Sequence, residues 1–195
     1  MEDQFDYVMA LVSVVIGLAL THVLGALGSA VHRRRGHGPP IRLEPVYLLW
    51  VGFVLLWTIS FWWWEYKFRE LRVAWSFGLY LFVLFYAVLL YGMSVVLVPD
   101  RMDGLEDSYA YFMSGRRWFF GLVLLAVGVD LIDSAFKSRD WAFAAQPLLL
   151  DGGIAVGAVI AMVVANRAAQ LAIAAAMFVL QLWITWSLLG VLGNW

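Results

Sequence analysis

The stretch AWSFGLYLFVLFYAVLLYGMSVVLV, Ala74 to Val98, contains no charged side chain. A helix rises 1.5 Å per residue, so about 20 apolar residues cross a hydrocarbon core of roughly 30 Å. Ala74–Val98 therefore predicts a membrane span, and the same pattern repeats on both sides of it. Read by runs without charge, the spans fall at 7–31, 46–66, 74–98, 118–136, 148–166 and 171–192. The expected fold is all-α, a single polytopic domain over 1–195 with six transmembrane helices. Breakers sit where connections are needed: the run Gly36 to Pro40 after the first span, Pro99 after the third, and Pro147 before the fifth.

Composition agrees with this reading and narrows the function. Hydrophobic residues make up 64% of the 195 and mean hydropathy is +0.83. The longest polar connection, Pro99 to Arg117, is too short for a soluble domain, so any chemistry sits in or beside the membrane. Cysteine is absent, which removes disulfides, thiolate metal sites and a thiol nucleophile. The acidic opening MEDQFD lacks the basic segment of a secretory signal, and the first helix is expected to be retained. A net charge of −1 gives no reason to expect nucleic acid as a partner.

An even number of spans puts both termini on one side. That side collects Lys67, Arg69, Arg72, Lys137 and Arg139, whereas the other holds Arg33, Arg34, Arg35, Arg42, Arg101, Arg116, Arg117 and Arg167. The positive-inside rule then makes the second side cytoplasmic and places both termini outside. Tyr7, Trp62, Trp63, Trp64, Tyr66, Trp75, Trp141 and Trp195 fall at the terminal-side ends of their spans, where amphipathic rings favour the headgroup level. Trp50, Trp57 and Trp64 recur every seven residues on one helix face, a pattern that suits packing or a lipid or pigment groove.

Two ridges of small residues stand out. Ser13, Gly17, Thr21, Gly25 and Ser29 recur every four residues in the first span, and Gly153, Gly157, Ala161, Ala165 and Ala169 do so around the fifth. In lipid, helices associate through close backbone approach rather than a hydrophobic drive. The ridges are expected to pack helices one and five closely, and either could instead make a homo-oligomer contact.

The polar exceptions inside the spans are the candidate site. Asp130 lies 13 residues beyond Arg117, roughly 20 Å along its helix, and Asp133 shares its face at i+3. Asp151, Glu65 and Asp6 approach the same level from other helices. Ionisable groups in spans are costly and face a bundle interior or a wet cavity. Two of them have local partners at i+4, Arg69 for Glu65 and Lys137 for Asp133. Asp130 has none and reads as a hydrogen-bonding residue or part of a proton or cation path. Asp151 suits a helix N-terminus. His22, beside Thr21, is expected to bond a neighbouring helix, with Gln181 and the tyrosines of the third span as neighbours, or to relay protons. No HExxH, GxSxG or GxxxxGK[ST] motif occurs, and no cofactor, metal site or catalytic residue is expected.

The blocks FDYVMALVSVVIGLALTHVLGALG (Phe5–Gly28) and FWWWEYKFRE (Phe61–Glu70) resemble a loosely defined group of uncharacterised small bacterial multi-spanning membrane proteins. The resemblance covers most of the chain and implies a bacterial inner membrane. It carries no activity and no site residue.

Three functions are open to such a chain. The first is an ion, proton or solute pathway with an acidic outer mouth of Glu65, Asp130, Asp133 and Asp151. The second is a non-catalytic accessory or sensory subunit of a larger membrane complex, with the Arg33–Arg42 loop on anionic headgroups. The third is a metal-dependent lipid-modifying enzyme using the Asp130–Asp133 pair. The expected partners are membrane lipids, a second copy of the chain, or such a complex.

Overall fold

The computed structural model describes residues 2–36, 41–71, 74–100 and 105–188. His37, Pro39, Pro40, Arg72, Arg101, Trp195 and the last residues of the sixth expected span lie outside them. The described residues form α1 (Glu2–Arg34), α2 (Pro45–Trp64), α3 (Lys67–Glu70), α4 (Phe77–Leu97), α5 (Ser108–Lys137), α6 (Arg139–Ala142), α7 (Ala145–Val163) and α8 (Arg167–Leu188), with no strand among them. Six helices are long and apolar enough to cross a membrane. The architecture is the all-α bundle of a multi-pass membrane protein, and α3 and α6 are single turns at one end of it.

Packing runs in a ring. α1 lies along α4, α4 along α5, α5 along α7, α7 along α8, α8 along α2, and α2 returns to α1. α2 also touches α4 and α5. Its most apolar window is 56% buried, against 17% for α8, so α2 is the central helix. Trp50 of α2 is enclosed by Phe53, Phe112, Phe119 and Phe120, with ring centroids 5.0 to 6.3 Å away. The Trp50 part of the aromatic stripe is thus core packing.

The start of α5 and the α7–α8 turn both differ from the sequence expectation. α5 begins at Ser108, ten residues before the expected 118. Asp107 caps it by accepting from the amides of Tyr109 and Ala110 at 2.8 and 3.1 Å. Arg116 is accommodated inside that helix because its guanidinium donates to the carbonyls of Met113 and Met162, 2.9 and 3.2 Å away. The α7–α8 turn comes three to four residues earlier than expected. Buried Gln170 donates from Nε2 to the carbonyls of Ala161 and Val164, both at 2.7 Å, satisfying the end of α7. Gly36, at φ +90, lets the chain leave α1 in a left-handed conformation.

The two small ridges have opposite fates. Ser13, Gly17, Thr21, Gly25 and Ser29 are all exposed on the outer face of α1, and a Cβ added at Gly17 or Gly25 would meet nothing within 4 Å. Gly153 and Gly157 instead face α8, where a Cβ at Gly157 would lie 2.5 Å from the Cε of Met177. Each ridge meets different surroundings: that of the fifth span lies against α8, and that of the first has nothing packed over Gly17 or Gly25 among the described residues. A further close approach, without a ridge to announce it, brings Phe178 of α8 to 2.8 Å from where a Cβ of Gly52 would sit.

The end of the bundle at which α2, α5 and α8 begin is tied by backbone and charge. Arg42 and Asp107 form a parallel bridge, with the Arg42 amide donating to Glu106 O at 2.9 Å and the Ser108 amide donating to Arg42 O at 3.2 Å. Glu44, the N-cap of α2, pairs with Arg42 at 2.6 Å and with Arg167 at the start of α8. The hydrogen bond from Arg167 holds the Glu44 carboxyl below its ordinary value of 4.5. The stabilisation from this depressed carboxyl is fully present above pH 4.5 and is lost as pH falls through the lowered folded value.

Two outcomes follow from these contacts. Gly157→Leu overfills the α7–α8 seam and is expected to cost about 1–3 kcal/mol, seen as a lower melting temperature in detergent, whereas Gly25→Leu leaves that temperature unchanged. Glu44→Gln is expected to flatten the decline in melting temperature of the wild type below pH 4.5. Tryptophan fluorescence during heating measures both.

Candidate functional site

α5 brings Asp130, Asp133, Ser134 and Lys137 to one side at spacings of three and four. Lys137 Nζ donates to Glu65 Oε1 at 2.8 Å and to Asp133 Oδ2. All three side chains are 0 to 1% exposed. The Phe68 ring lies 4.6 Å from the ammonium and the Trp64 ring 5.3 Å, so α3 closes the triad from outside with an aromatic face. The expected local pair of Asp133 with Lys137 is present. That of Glu65 with Arg69 is replaced, because the turn into α3 sends Arg69 to α1, where it lies 3.8 Å from Asp6 and over the rings of Phe5 and Tyr66.

Beside the triad lies a crevice whose empty volume, its open mouth included, is about 690 Å³. α2 supplies Trp57, Ser60, Phe61 and Trp64, and α5 supplies Asp130 and Ser134. Trp141 of α6, Asp151 of α7 and Gln181 of α8 complete the polar and aromatic wall. The crevice occupies the half of the bundle that holds the last turns of α2 and α5 and the first turns of α7. Asp130 precedes the end of α5 by seven residues, about 10 Å along the axis, so it lies below the bundle end.

The two acids of the crevice are held differently. Asp130 Oδ1 accepts from the Tyr86 hydroxyl at 2.5 Å, and that hydroxyl accepts from Trp57 Nε1 at 3.0 Å. Tyr86 is buried on α4 and Trp57 lines the same crevice, so these two hydrogen bonds tie the crevice wall to the bundle core. Asp151 has no hydrogen bond or ion pair among the described residues. Gln181 is 4% exposed, and its side-chain amide likewise has no partner among them. Among the described residues no lysine, arginine or histidine lines the crevice.

The structure thus divides the expected acidic mouth. Asp130 and Asp151 share the crevice, Glu65 and Asp133 are sealed against Lys137, and Asp6 is a surface partner of Arg69. His22 is remote from all of these: its Nε2 lies 2.9 Å from Val98 O at the C-cap of α4, its ring meets Tyr91 edge-on at 6.4 Å, and Nδ1 is 3.8 Å from Asp100. It joins α1 to α4 where α4 ends. Tyr86, Ser60 and Ser134 had no local signal in the sequence, since each reads as an ordinary residue of an apolar run. Among the described residues no group of three or more His, Cys, Asp or Glu is placed to hold a metal ion. Comparison of the chain with protein-family models, curated proteins and solved structures gives no match.

Removing the ammonium while leaving both buried acids is the most damaging single change at this end. Lys137→Met is expected to cost about 3–5 kcal/mol, read as a lower melting temperature or loss of folded protein. The triple variant Lys137→Met, Glu65→Gln, Asp133→Asn is expected to regain most of that loss.

Proposed function

We propose that the protein takes a small cation from one face of the membrane through the crevice and passes it across the bundle. The observation that carries this reading is the pair Asp130 and Asp151, on two helices, facing one cavity whose lining has no basic side chain. The adjacent ammonium of Lys137 is already held by Glu65 and Asp133, so in their ionised forms the crevice acids have no cation of their own. Focused negative charge in a low-dielectric cleft raises the local concentration of cations. The Glu44 pairs and the Arg42–Asp107 bridge support closure at the other end. The same reading puts the chain in a bacterial inner membrane with the crevice facing outward, on the eight-to-five excess of basic residues at the opposite side.

A second reading, an accessory subunit or homo-oligomer held through α1, is favoured by the exposed ridge at Gly17, Thr21 and Gly25. Reconstitution separates the two. Liposomes holding wild type, Asp130→Asn or Asp151→Asn are loaded with pH and alkali-cation reporters and assayed for uptake of labelled tetraethylammonium. Wild-type flux of at least one species, reduced tenfold or more in either variant, is the expected result. Background flux of every species in wild type overturns the pathway and favours the accessory subunit.

A further inference from the structure

We propose that the crevice receives an organic ammonium ion, a small amine or quaternary ammonium with apolar substituents, and this rests on the reading of the crevice as a cation site. The crevice opens between five elements, α2, α5, α6, α7 and α8, and a proton needs no such space. A bare metal cation of the hard class requires six or more oxygens. Here only two acids face the cavity, and Trp57, Phe61, Trp64 and Trp141 occupy much of the rest. Aromatic faces with a nearby carboxylate are the chemistry that selects alkylammonium ions.

The molecule contains its own precedent for this arrangement. Lys137 is an alkylammonium clasped by two carboxylates, with Phe68 and Trp64 at 4.6 and 5.3 Å. One turn away along α5 the crevice repeats the set, two carboxylates and several indole rings, without a lysine among its lining residues. The unpartnered amide of Gln181, 4% exposed and lining the same cavity, offers a carbonyl to an N–H of a primary or secondary amine.

The test is equilibrium binding to the intact protein in detergent or lipid nanodiscs, read by calorimetry and tryptophan fluorescence. The probes are tetraethylammonium, choline, and 3,3-dimethylbutan-1-ol, the uncharged isostere of choline. Binding of either ammonium, at least tenfold weaker for the uncharged isostere, is expected. Asp151→Asn and Trp141→Ala are each expected to weaken it about tenfold, while Trp141→Phe retains most of it. Asp151 and Trp141 lie outside the Lys137 triad, and unchanged melting curves establish that both variants fold. Equal binding of choline and its isostere, or full binding by Asp151→Asn, overturns the proposal. Absence of ammonium binding alongside proton or alkali flux that depends on Asp130 overturns it too and leaves the pathway standing. Absence of both removes the pathway with it.

Discussion

An ammonium sealed between two carboxylates is the fixed point of this bundle. Lys137 closes α5, Glu65 follows α2, and Asp133 sits one turn below, so their contacts join the ends of two helices that otherwise meet over a short length. Removing three ionisable groups from water is costly, and Coulombic attraction offsets it only when the geometry is tight and every member stays in place. The aromatic cover of Phe68 and Trp64 adds an attractive face where water would otherwise enter. Because Phe68 belongs to α3, the short turn after α2 is anchored to the same charge.

This anchoring gives neighbouring acids different chemistry. Asp133 and Asp130 are three residues apart on one helix, yet the first is neutralised by Lys137 and the second faces a cavity with a tyrosine hydroxyl as its hydrogen-bond donor. The triad takes up the cation nearest the crevice and leaves the crevice acids without one. Packing has a parallel role. α7 is drawn onto α8 through Gly157 and onto α5, and the space left between these helices and α2 is the crevice.

The bilayer made the helices legible, since a run such as Ala74–Val98 has no other reading. Counting along α5 set Asp130 well inside its helix, and it precedes the end of α5 by seven residues. The helix ends were less legible. The Arg116–Arg117 pair suggested a boundary because its cost was judged by residue type, whereas Arg116 satisfies itself on two carbonyls, one from another helix. Spacing showed that Ser13–Ser29 and Gly153–Ala169 each form a ridge, but what faces a ridge is a tertiary fact. The destination of Lys137 was half visible: i+4 spacing gave Asp133, while Glu65, 72 residues away, depends on how α2 and α5 meet. Gln181 and Tyr86 matter only through neighbours on other helices, and no local pattern marks them.

The opposite end of α2 is built on another principle. Within the run Arg42 to Glu44, a backbone bridge holds the start of α5 and a shared carboxylate holds the start of α8. The Ser108 hydroxyl knits the two together, accepting from the Glu44 amide at 2.9 Å and donating to Arg42 O at 3.1 Å. Parting α2 from one neighbour at this point strains the attachment to the other. Such a joint acts as a catch rather than a spring: it resists small displacements, and once one bond yields the rest follow together.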